Sequence, residues 1–453
     1  MDTLVFANEK ILWIVTANGG RRVPIKKIES SLSTSNDYVI EESNDDSDYK
    51  PSVFNYVLEK PSGAVIYNTL YNTLVRLSKR EFAQYSKGVC KGKALRKALI
   101  QNGLWINRTV DERRAFIRLA NSITYKSHGK LSVTITTTLK CNAHCPYCYE
   151  HGVRQVDMSA DVVDRIFDFI KSRRTEDEIG LTWFGGEPLM NMQIMDSLCD
   201  RLTKDGIGYS SYIISNGSLF TEEIVSSKKD VWNLHDVQIT LDGTRDYYEK
   251  TKSFDQGTQF GYLHTLDVIG MLARHGITVH VRMNISRENT AMIIELAKEL
   301  NTRFANDKHV IFYPAFLTGL KSKMSEKEKL DFLFELMRSV SNPLKLTASS
   351  KFHTDPRTCA CNNSRPNAFT IDVYGNVFSC EHNVGKAQLA MGNITENSSI
   401  KDPRKKPPYI RKQCRECLFF PKCYGGCKAN LIGGDDACQI EKYIIPAYLA
   451  LLK

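Results

Sequence analysis

Short β-branched segments alternate with longer segments of helical apolar spacing between residues 126 and 345. The first, Leu-Ser-Val-Thr-Ile-Thr-Thr-Thr, alternates apolar and polar side chains as a half-buried strand does. Strands are predicted at residues 131–138, 180–184, 209–215, 237–241, 277–285 and 309–313. Helices are predicted between and after them, at residues 160–172, 192–203, 221–226, 262–274, 289–301 and 325–340. Six successive β/α units indicate the α/β class and predict a partial (β/α)6 TIM-like barrel, with every strand C-terminus at one mouth.

The N-terminal region shows a different pattern. Residues 53–60 and 64–67 are predicted strands around a Pro-Ser-Gly turn, and residues 70–85 and 95–102 have helical spacing, the second helix ending at Gly103. This order suits a small winged-helix-like domain, and it suits equally a plain extension packed on the barrel. We therefore predict three domains, at residues 1–125, 126–345 and 346–453, the last rich in cysteine.

Composition narrows the class. The chain has 453 residues, 42% of them hydrophobic and 25% charged, with a net charge of +10, and it contains no apolar run of membrane-spanning length. Because its first residues also lack a basic leader, we expect a cytoplasmic protein with no membrane partner, and no nucleic-acid partner is expected either. A reducing cytosol disfavours disulfides, so its 13 cysteines favour metal binding.

Three cysteines follow the first predicted barrel strand: Cys141, Cys145 and Cys148, spaced CxxxCxxC. Structural zinc sites usually recruit four protein ligands, and a cubane iron–sulfur cluster is normally held by four thiolates. Three local thiolates would leave one iron of a cubane open to another ligand. A zinc knuckle or a redox-inert thiol cluster is the alternative.

This motif, with the aromatic Tyr147 before its last cysteine, resembles the radical S-adenosylmethionine (SAM) superfamily. The resemblance implies that the open iron chelates the methionine part of SAM, which is cleaved to a radical that abstracts a substrate hydrogen. It implies further SAM contacts at the ends of later strands, and Tyr147 would rest against adenine or only cover the cluster. The implied cofactor-binding residues are Tyr147, Gly185, Gly186, Glu187, Ser215, Asn216, Thr240, Asp242, Arg282 and Asn284.

Each of these elements has a simpler interpretation. Gly185-Gly186-Glu187 resembles the family's element for the SAM amino group but also reads as an ordinary βα turn. Arg282 and Asn284 alternate on one strand and therefore point to the same side, where an internal polar network is an alternative to a SAM carboxylate or ribose.

The last hundred residues contain eight more cysteines. Cys361 is followed by thirteen residues, Gly375, four residues and Cys380, and a later group is spaced CxxCx5Cx3C before a final cysteine. This order resembles the SPASM extension of radical SAM proteins, which implies two auxiliary 4Fe–4S clusters. The first would be held by Cys359, Cys361, Cys380 and Cys427, and the second by Cys414, Cys417, Cys423 and Cys438.

The spacing of the first auxiliary set departs from the family, because Cys359 lies only two residues before Cys361. We therefore expect one of this pair to be a weak ligand, which would leave an iron open to substrate. Two zinc sites are the alternative for all eight thiols, since thiolate-only sites suit both metals. The two cysteines left over, Cys90 and Cys199, read as ordinary thiols.

The resemblance implies a peptide maturase with three 4Fe–4S clusters and SAM as cofactors. Its partners would be a ribosomally made precursor peptide, held at its leader by strand addition to the N-terminal domain, and an electron donor such as ferredoxin or flavodoxin. The expected product is a cross-link, with a cysteine thioether as the first option and a carbon–carbon or ether bond as the next. Glu381 would be a catalytic base or only a surface carboxylate. A sulfatase-type formylglycine maturase and a non-catalytic zinc protein are the alternatives.

Overall fold

The computed structural model describes most of the chain. The described residues are 4–8, 11–16, 19–24, 48–121, 124–125, 130–150, 152–176, 178–255, 260–319, 323–343, 346, 359, 361–396, 399–402, 404, 410–427, 438 and 440–452.

The N-terminal region forms small antiparallel sheets and three helices. Its strands are β1 (Leu4–Asn8), β2 (Ile11–Thr16), β3 (Gly19–Pro24), β4 (Tyr49–Pro51), β5 (Asn55–Lys60), β6 (Gly63–Asn68), β7 (Thr73–Ser78) and β8 (Trp105–Asn107). Its helices are α1 (Lys79–Ser86), α2 (Lys93–Gln101) and α3 (Glu112–Asn121). The strands pair as β1-β2-β3, β4-β8 and β5-β6-β7, and the central strand β6 is buried along its whole length.

The predicted helix at residues 70–85 is wrong in its first half. Asn72 has a positive φ of 56° and turns the chain back, so that Thr73–Ser78 pairs with β6 as a third strand. The helix begins only after Ser78, whose side chain accepts from the backbone of Glu81 while the Glu81 carboxylate accepts from the Ser78 backbone. A hairpin and a capping box therefore prevail over apolar spacing.

The central sheet confirms the predicted β/α order. Six parallel strands lie side by side in sequence order: β9 (Ser132–Thr138), β10 (Glu178–Gly185), β11 (Gly208–Ser215), β12 (Leu234–Leu241), β13 (Thr278–Ile285) and β14 (Val310–Phe316). Because the order never reverses, right-handed crossovers put every helix on one face of the sheet, and the other face lines a lumen.

The crossover helices bury the outer side of the sheet. They are α4 (Ala160–Arg173), α5 (Met192–Lys204), α6 (Glu222–Lys228), α7 (Arg245–Lys252), α8 (Tyr262–Arg274), α9 (Thr290–Arg303) and α10 (Glu326–Ser339). Alternate strand residues such as Val237, Ile239 and Leu241 are fully buried in one apolar cluster with the helices. Helix α7 was not predicted, because Tyr248 is its only buried hydrophobic side chain.

The C-terminal region continues the same sheet. Strand β15 (Ala368–Ile371) adds in parallel to β9, and β16 (Asn376–Phe378) and β17 (Gly392–Asn393) follow antiparallel. The predicted turn at Gly375 has a φ of +79°, which glycine adopts without strain. Helices α11 (Lys412–Glu416), α12 (Phe420–Cys423) and α13 (Glu441–Leu451) complete the region.

The N-terminal region packs directly on the cysteine-rich segment 414–427. The ring of Phe116 lies edge-on to Phe420 and Tyr424, with centroids 5.8 and 6.0 Å away. Thr69 donates to the Leu418 carbonyl, and buried Lys422 donates to Asn72 at 3.1 Å. The two parts therefore share an apolar core.

Within the described ranges, no helix is both long enough and apolar enough to cross a lipid bilayer.

Candidate functional site at the barrel mouth

The loop at 141–148 leaves the C-terminal end of β9. The backbone of Cys148 donates to the Cys145 carbonyl at 3.1 Å, which turns the loop back on itself. The backbone of His144 donates to the Lys252 carbonyl at 2.7 Å and ties the loop to α7. Burial raises the pKa of the Cys141 thiol to about 12, and nearby Glu187, Cys145 and Cys148 add to this rise. Without a bound cation, the Cys141 thiol is therefore held protonated.

Gly185 and Gly186 fit tightly against this loop. A Cβ on Gly185 would lie 2.1 Å from the Thr138 carbonyl oxygen, and a Cβ on Gly186 would lie 2.2 Å from the Lys140 carbonyl oxygen. The same atom would lie 2.9 Å from the Cβ of Cys141. Both glycines are required because no side chain fits between β10 and the cysteine loop.

Glu187 organises the next strand end. Its side chain is fully buried and accepts from the Ser215 hydroxyl at 3.0 Å and from the Asn216 backbone at 2.8 Å. Burial raises the pKa of Glu187 to about 7 against the effect of these hydrogen bonds. Asn216 in turn donates to Asn142 at 2.9 Å and to the Cys141 sulfur at 3.9 Å. The predicted contacts after β10 and β11 thus form one network that reaches the first thiol.

Asp242 is the centre of a second network. Tyr147 donates its hydroxyl to both carboxylate oxygens, at 2.8 and 2.9 Å, and Asn284 donates its amide at 3.0 Å. Lys252 lies 3.2 Å from the same carboxylate and also donates to Tyr147 and Thr240, both at 3.0 Å. Asp242 and Lys252 have side chains only 1% and 3% exposed, so this is a buried ion pair beneath the cysteine loop.

Lys252 was missed by the sequence analysis. Burial lowers its pKa, but Asp242, Cys145 and Tyr147 more than offset that and hold the pKa well above its ordinary value. It is therefore a permanent cation close to a thiol of the loop. The one sequence feature that could have indicated its burial is its position one helical turn after Tyr248. Helix α7 was not predicted, because its residues lack helical apolar spacing.

Arg282 lies deeper in the lumen. Its Nε donates to the Asn284 side chain at 2.9 Å, so the two residues point to the same side as predicted. Asn284 contacts the Asp242 network directly, whereas no ion pair joins Arg282 to any described residue.

The structure brings together the thiols of the predicted first auxiliary set. Burial raises the pKa of Cys361, and Cys427, Glu381 and Cys359 raise it further. Burial raises the pKa of Cys380 too, with contributions from Glu381, Cys361 and Cys427. The thiols of Cys359, Cys380 and Cys427 and the Glu381 carboxylate therefore all lie near Cys361.

In the predicted second auxiliary set, three thiols are neighbours. Burial raises the pKa of Cys423 to about 12, with contributions from Glu441, Cys417 and Cys414. The fourth member, Cys438, accepts from Lys442 at 4.0 Å. Cys90 and Cys199 are buried apart from these sets in apolar clusters.

Two residues between the loop and the first auxiliary set were not predicted. The Tyr149 ring lies 4.8 Å from the His382 ring and 6.3 Å from that of Phe184. The Oε1 atom of Glu150 is buried with no hydrogen-bond partner in the described residues. These contacts bring the cysteine loop and the segment after Cys380 into direct contact.

The donor set fits iron–sulfur chemistry. In the described part of the chain, no three His, Cys, Asp or Glu side chains are grouped as ligands of one metal ion. A cubane instead places each thiolate on a different iron, and its positive irons would reverse the pKa increase that burial imposes on the thiols. The thiol trio of the cysteine loop, which lies in the region matched by a 4Fe–4S domain model, is thus a suitable ligand set for one such cluster.

Comparison with known proteins finds similarity in the region of the cysteine loop. A family model described as a 4Fe-4S single cluster domain matches residues 129–269. An S-adenosylmethionine-dependent nucleotide dehydratase from a Thermoplasmatales archaeon is 30% identical over 152 residues, 33% of this chain and 51% of its own. The matched region contains the thiol trio, so this part of the chain resembles a 4Fe–4S domain and is similar in sequence to an S-adenosylmethionine-dependent enzyme.

Two further relatives span more of the chain. A serine-type anaerobic sulfatase-maturating enzyme from Bacteroides thetaiotaomicron is 19% identical over 344 residues, 64% of this chain and 80% of its own. The solved structure of native anSMEcpe with bound AdoMet and Kp18Cys peptide superposes with a TM-score of 0.55 at 15% identity. The superposition covers 71% of this chain and 95% of the anSMEcpe chain, so the two proteins share a fold.

Proposed function

We propose that this enzyme is a maturase that abstracts a hydrogen atom from a ribosomally made precursor peptide and installs a cross-link, with a cysteine thioether as the first candidate. The observation that carries the proposal is the contact between the SAM-side loop and the cysteine-rich region, where Tyr149 meets His382. Thiol groups on both sides of this contact suit a reaction that starts at one cluster and ends beside another.

We assign Cys141, Cys145 and Cys148 as ligands of the SAM-binding cluster. The bound cluster and SAM supply the one-electron chemistry that removes the substrate hydrogen. Glu187 holds the Ser215–Asn216 turn, which donates toward the Cys141 sulfur. Hydrogen bonds to cluster sulfurs tune reduction potentials, so these residues position and tune the cluster.

The SAM molecule would be held at the same mouth. Gly185 and Gly186 keep the strand end open to it, and Tyr147, Thr240, Asp242 and Asn284 present polar groups that Lys252 fixes in place. The sequence predicts Arg282 as a SAM contact as well, but Arg282 lies two residues further down β13 than Asn284, so we propose a different ligand for it below.

Two auxiliary 4Fe–4S clusters are proposed in the C-terminal region. Cys359, Cys361, Cys380 and Cys427 would hold the first, and Cys414, Cys417, Cys423 and Cys438 the second. Their mutual effects on pKa support both groupings except for Cys438. Glu381, a neighbour of Cys361 and Cys380, is the proposed base that takes a substrate proton. A ferredoxin or flavodoxin would supply electrons.

The N-terminal region is the proposed site for the leader of the peptide. In the sheet β5-β6-β7, the strands β5 and β7 are edges whose outer backbone groups have no strand partner in the described residues. An extended peptide can pair with such an edge through main-chain hydrogen bonds. The relative with a bound peptide supports a peptide substrate in general.

Mass spectrometry of a cysteine-containing peptide encoded beside the gene, co-expressed anaerobically, tests the proposal. A thioether removes one C–H and one S–H hydrogen, so we expect a loss of two hydrogens and of one alkylatable thiol per event. The same mass loss with intact thiols would indicate a carbon–carbon or ether bond. An unchanged peptide, from enzyme that still cleaves SAM, would contradict this substrate.

A formylglycine maturase is the second candidate. It is favoured by the similarity to the sulfatase-maturating enzyme over 344 residues. A sulfatase peptide with serine or cysteine at the target position tests it, since formylglycine forms without a cross-link. Metal analysis separates both from a zinc protein: three cubanes contain about twelve irons with sulfide.

A further inference from the structure

The inner face of the barrel is polar below its mouth. Gln238, Arg282 and Tyr313 occupy the strand positions that alternate with the fully buried Val237, Val281 and Phe312. They therefore point away from the helices and into the lumen. A cavity of about 400 Å³ opens at the far end of the strands, lined by residues that include Tyr212, Asp236 and His280.

Two tyrosines fix the amide of Gln238. Tyr313 donates its hydroxyl to Gln238 Oε1 at 2.7 Å, and Tyr212 donates to the same atom at 3.4 Å. Because both bonds use the oxygen, the Nε2 group keeps its two donors, for which the described residues provide no acceptor. The side-chain NH2 group of Gln238 can therefore donate hydrogen bonds to a ligand in the lumen.

Among the described residues, Arg282 has no counter-ion. Its Nε is used by Asn284, but its two terminal nitrogens have no hydrogen-bond partner or carboxylate among the described residues. The neighbouring positions across the sheet are Thr240 on β12 and Tyr313 on β14. A half-buried guanidinium with an amide donor on the adjacent strand is suited to bind an anion such as a carboxylate.

We propose that Arg282 and Gln238 form a carboxylate-binding site inside the barrel, and that it receives an acidic side chain of the substrate. Asp242 and Asn284 lie at the mouth, where SAM is proposed to bind, whereas Arg282 lies two residues, or about 7 Å, further down its strand. Lys252 is already neutralised by Asp242, so the unsatisfied positive charge lies below the mouth. The inference rests on the proposed peptide substrate, since SAM also has a carboxylate.

The site predicts a glutamate-like ligand held by the guanidinium fork. We would measure anaerobic binding of N-acetylglutamate N-methylamide and of its glutamine counterpart to the iron-loaded enzyme, and separately of SAM. Wild-type enzyme should prefer the acid about tenfold or more. Arg282→Gln should abolish that preference, Arg282→Lys should keep part of it, and neither should change the dissociation constant of SAM.

Arg287→Gln is the matched control, because Arg287 is exposed beyond the end of β13 and paired with Glu328 at 2.7 Å. A weakening of SAM binding in Arg282→Gln with no preference for the acid would show that the carboxylate is that of SAM and would overturn the substrate assignment. No preference and unchanged SAM binding would overturn the site itself. Iron content and SAM cleavage, measured in parallel, report separately on the proposed enzyme class.

Discussion

The ion pair between Lys252 and Asp242 should be a principal determinant of the stability of the barrel mouth. Its side chains are 3% and 1% exposed, so removing the ammonium leaves a carboxylate that water cannot reach. Breaking such a pair by removing one partner typically costs about 3–5 kcal/mol. Hydrogen bonds from Tyr147 and Asn284 remain, which places the expected cost of Lys252→Met near the lower end, about 3 kcal/mol.

Urea unfolding of the iron-loaded protein under anaerobic conditions measures this cost. Trp183 and Trp232 are fully buried in the barrel core and provide a fluorescence signal for its unfolding. Lys204→Met is the matched control, because its partner Asp200 lies at i−4 on an exposed helix face and such pairs contribute about 0.5 kcal/mol.

A double variant separates charge from packing. Lys252→Met combined with Asp242→Asn removes the stranded carboxylate, so it should lose less stability than Lys252→Met alone. Equal losses in Lys252→Met and Lys204→Met would refute the reasoning, because the pair would then not be buried in solution.

The same substitution should change the electronic properties of the loop. A buried cation beside Cys145 stabilises negative charge on a cluster held there, so its removal should lower the reduction potential of the SAM-binding cluster. A redox titration followed by electron paramagnetic resonance measures the shift, and Lys204→Met should leave the potential unchanged.

Three further predictions concern other parts of the molecule. Gly186→Ala should lose iron and sulfide at the cysteine loop, since its Cβ would meet a carbonyl oxygen at 2.2 Å. Gly206→Ala meets no atom within 4 Å, so it should cost only the strain of its φ of +67°, about 1–2 kcal/mol. Phe116→Ala should lower the free energy of unfolding by about 3–5 kcal/mol and speed hydrogen exchange in segment 414–427. Leu99 lies in a separate apolar cluster, so Leu99→Ala should leave the exchange of that segment slow. Burial raises the pKa of Glu112 in the folded protein above its ordinary 4.5. The stability that Glu112 contributes at low pH is therefore lost as the pH rises through its pKa in the folded protein. The urea midpoint of Glu112→Gln should not show this loss over the same pH range.

The network around Glu187 shows where sequence and structure divide. The strand pattern and the two glycines were enough to place Gly185-Gly186-Glu187 at the end of a strand. The direction of its carboxylate could not, because whether it faces the lumen or the next turn depends on how β10 and β11 are registered. The structure directs it to Ser215 and Asn216, and through Asn216 to Cys141.

The sequence by itself determined the β/α order, and it identified three groups of thiols as candidate cluster ligands. The alternation of apolar residues and the spacing of cysteines are local properties of the chain, so they can be read without knowing how the side chains pack. It misplaced the helix at 70–85, because a hairpin turn at Asn72 and a cap at Ser78 prevailed over apolar spacing.

Only the tertiary structure decided which charged groups meet inside the barrel. Lys252 lies on a helix with almost no apolar pattern, and its partners Asp242 and Tyr147 come from a different strand end and from the cysteine loop. Likewise, Arg282 and Gln238 lie on adjacent strands and are 44 residues apart in the chain. Burial and pairing depend on these long-range contacts, since the energy of a charge is set by its surroundings and not by its neighbours in sequence.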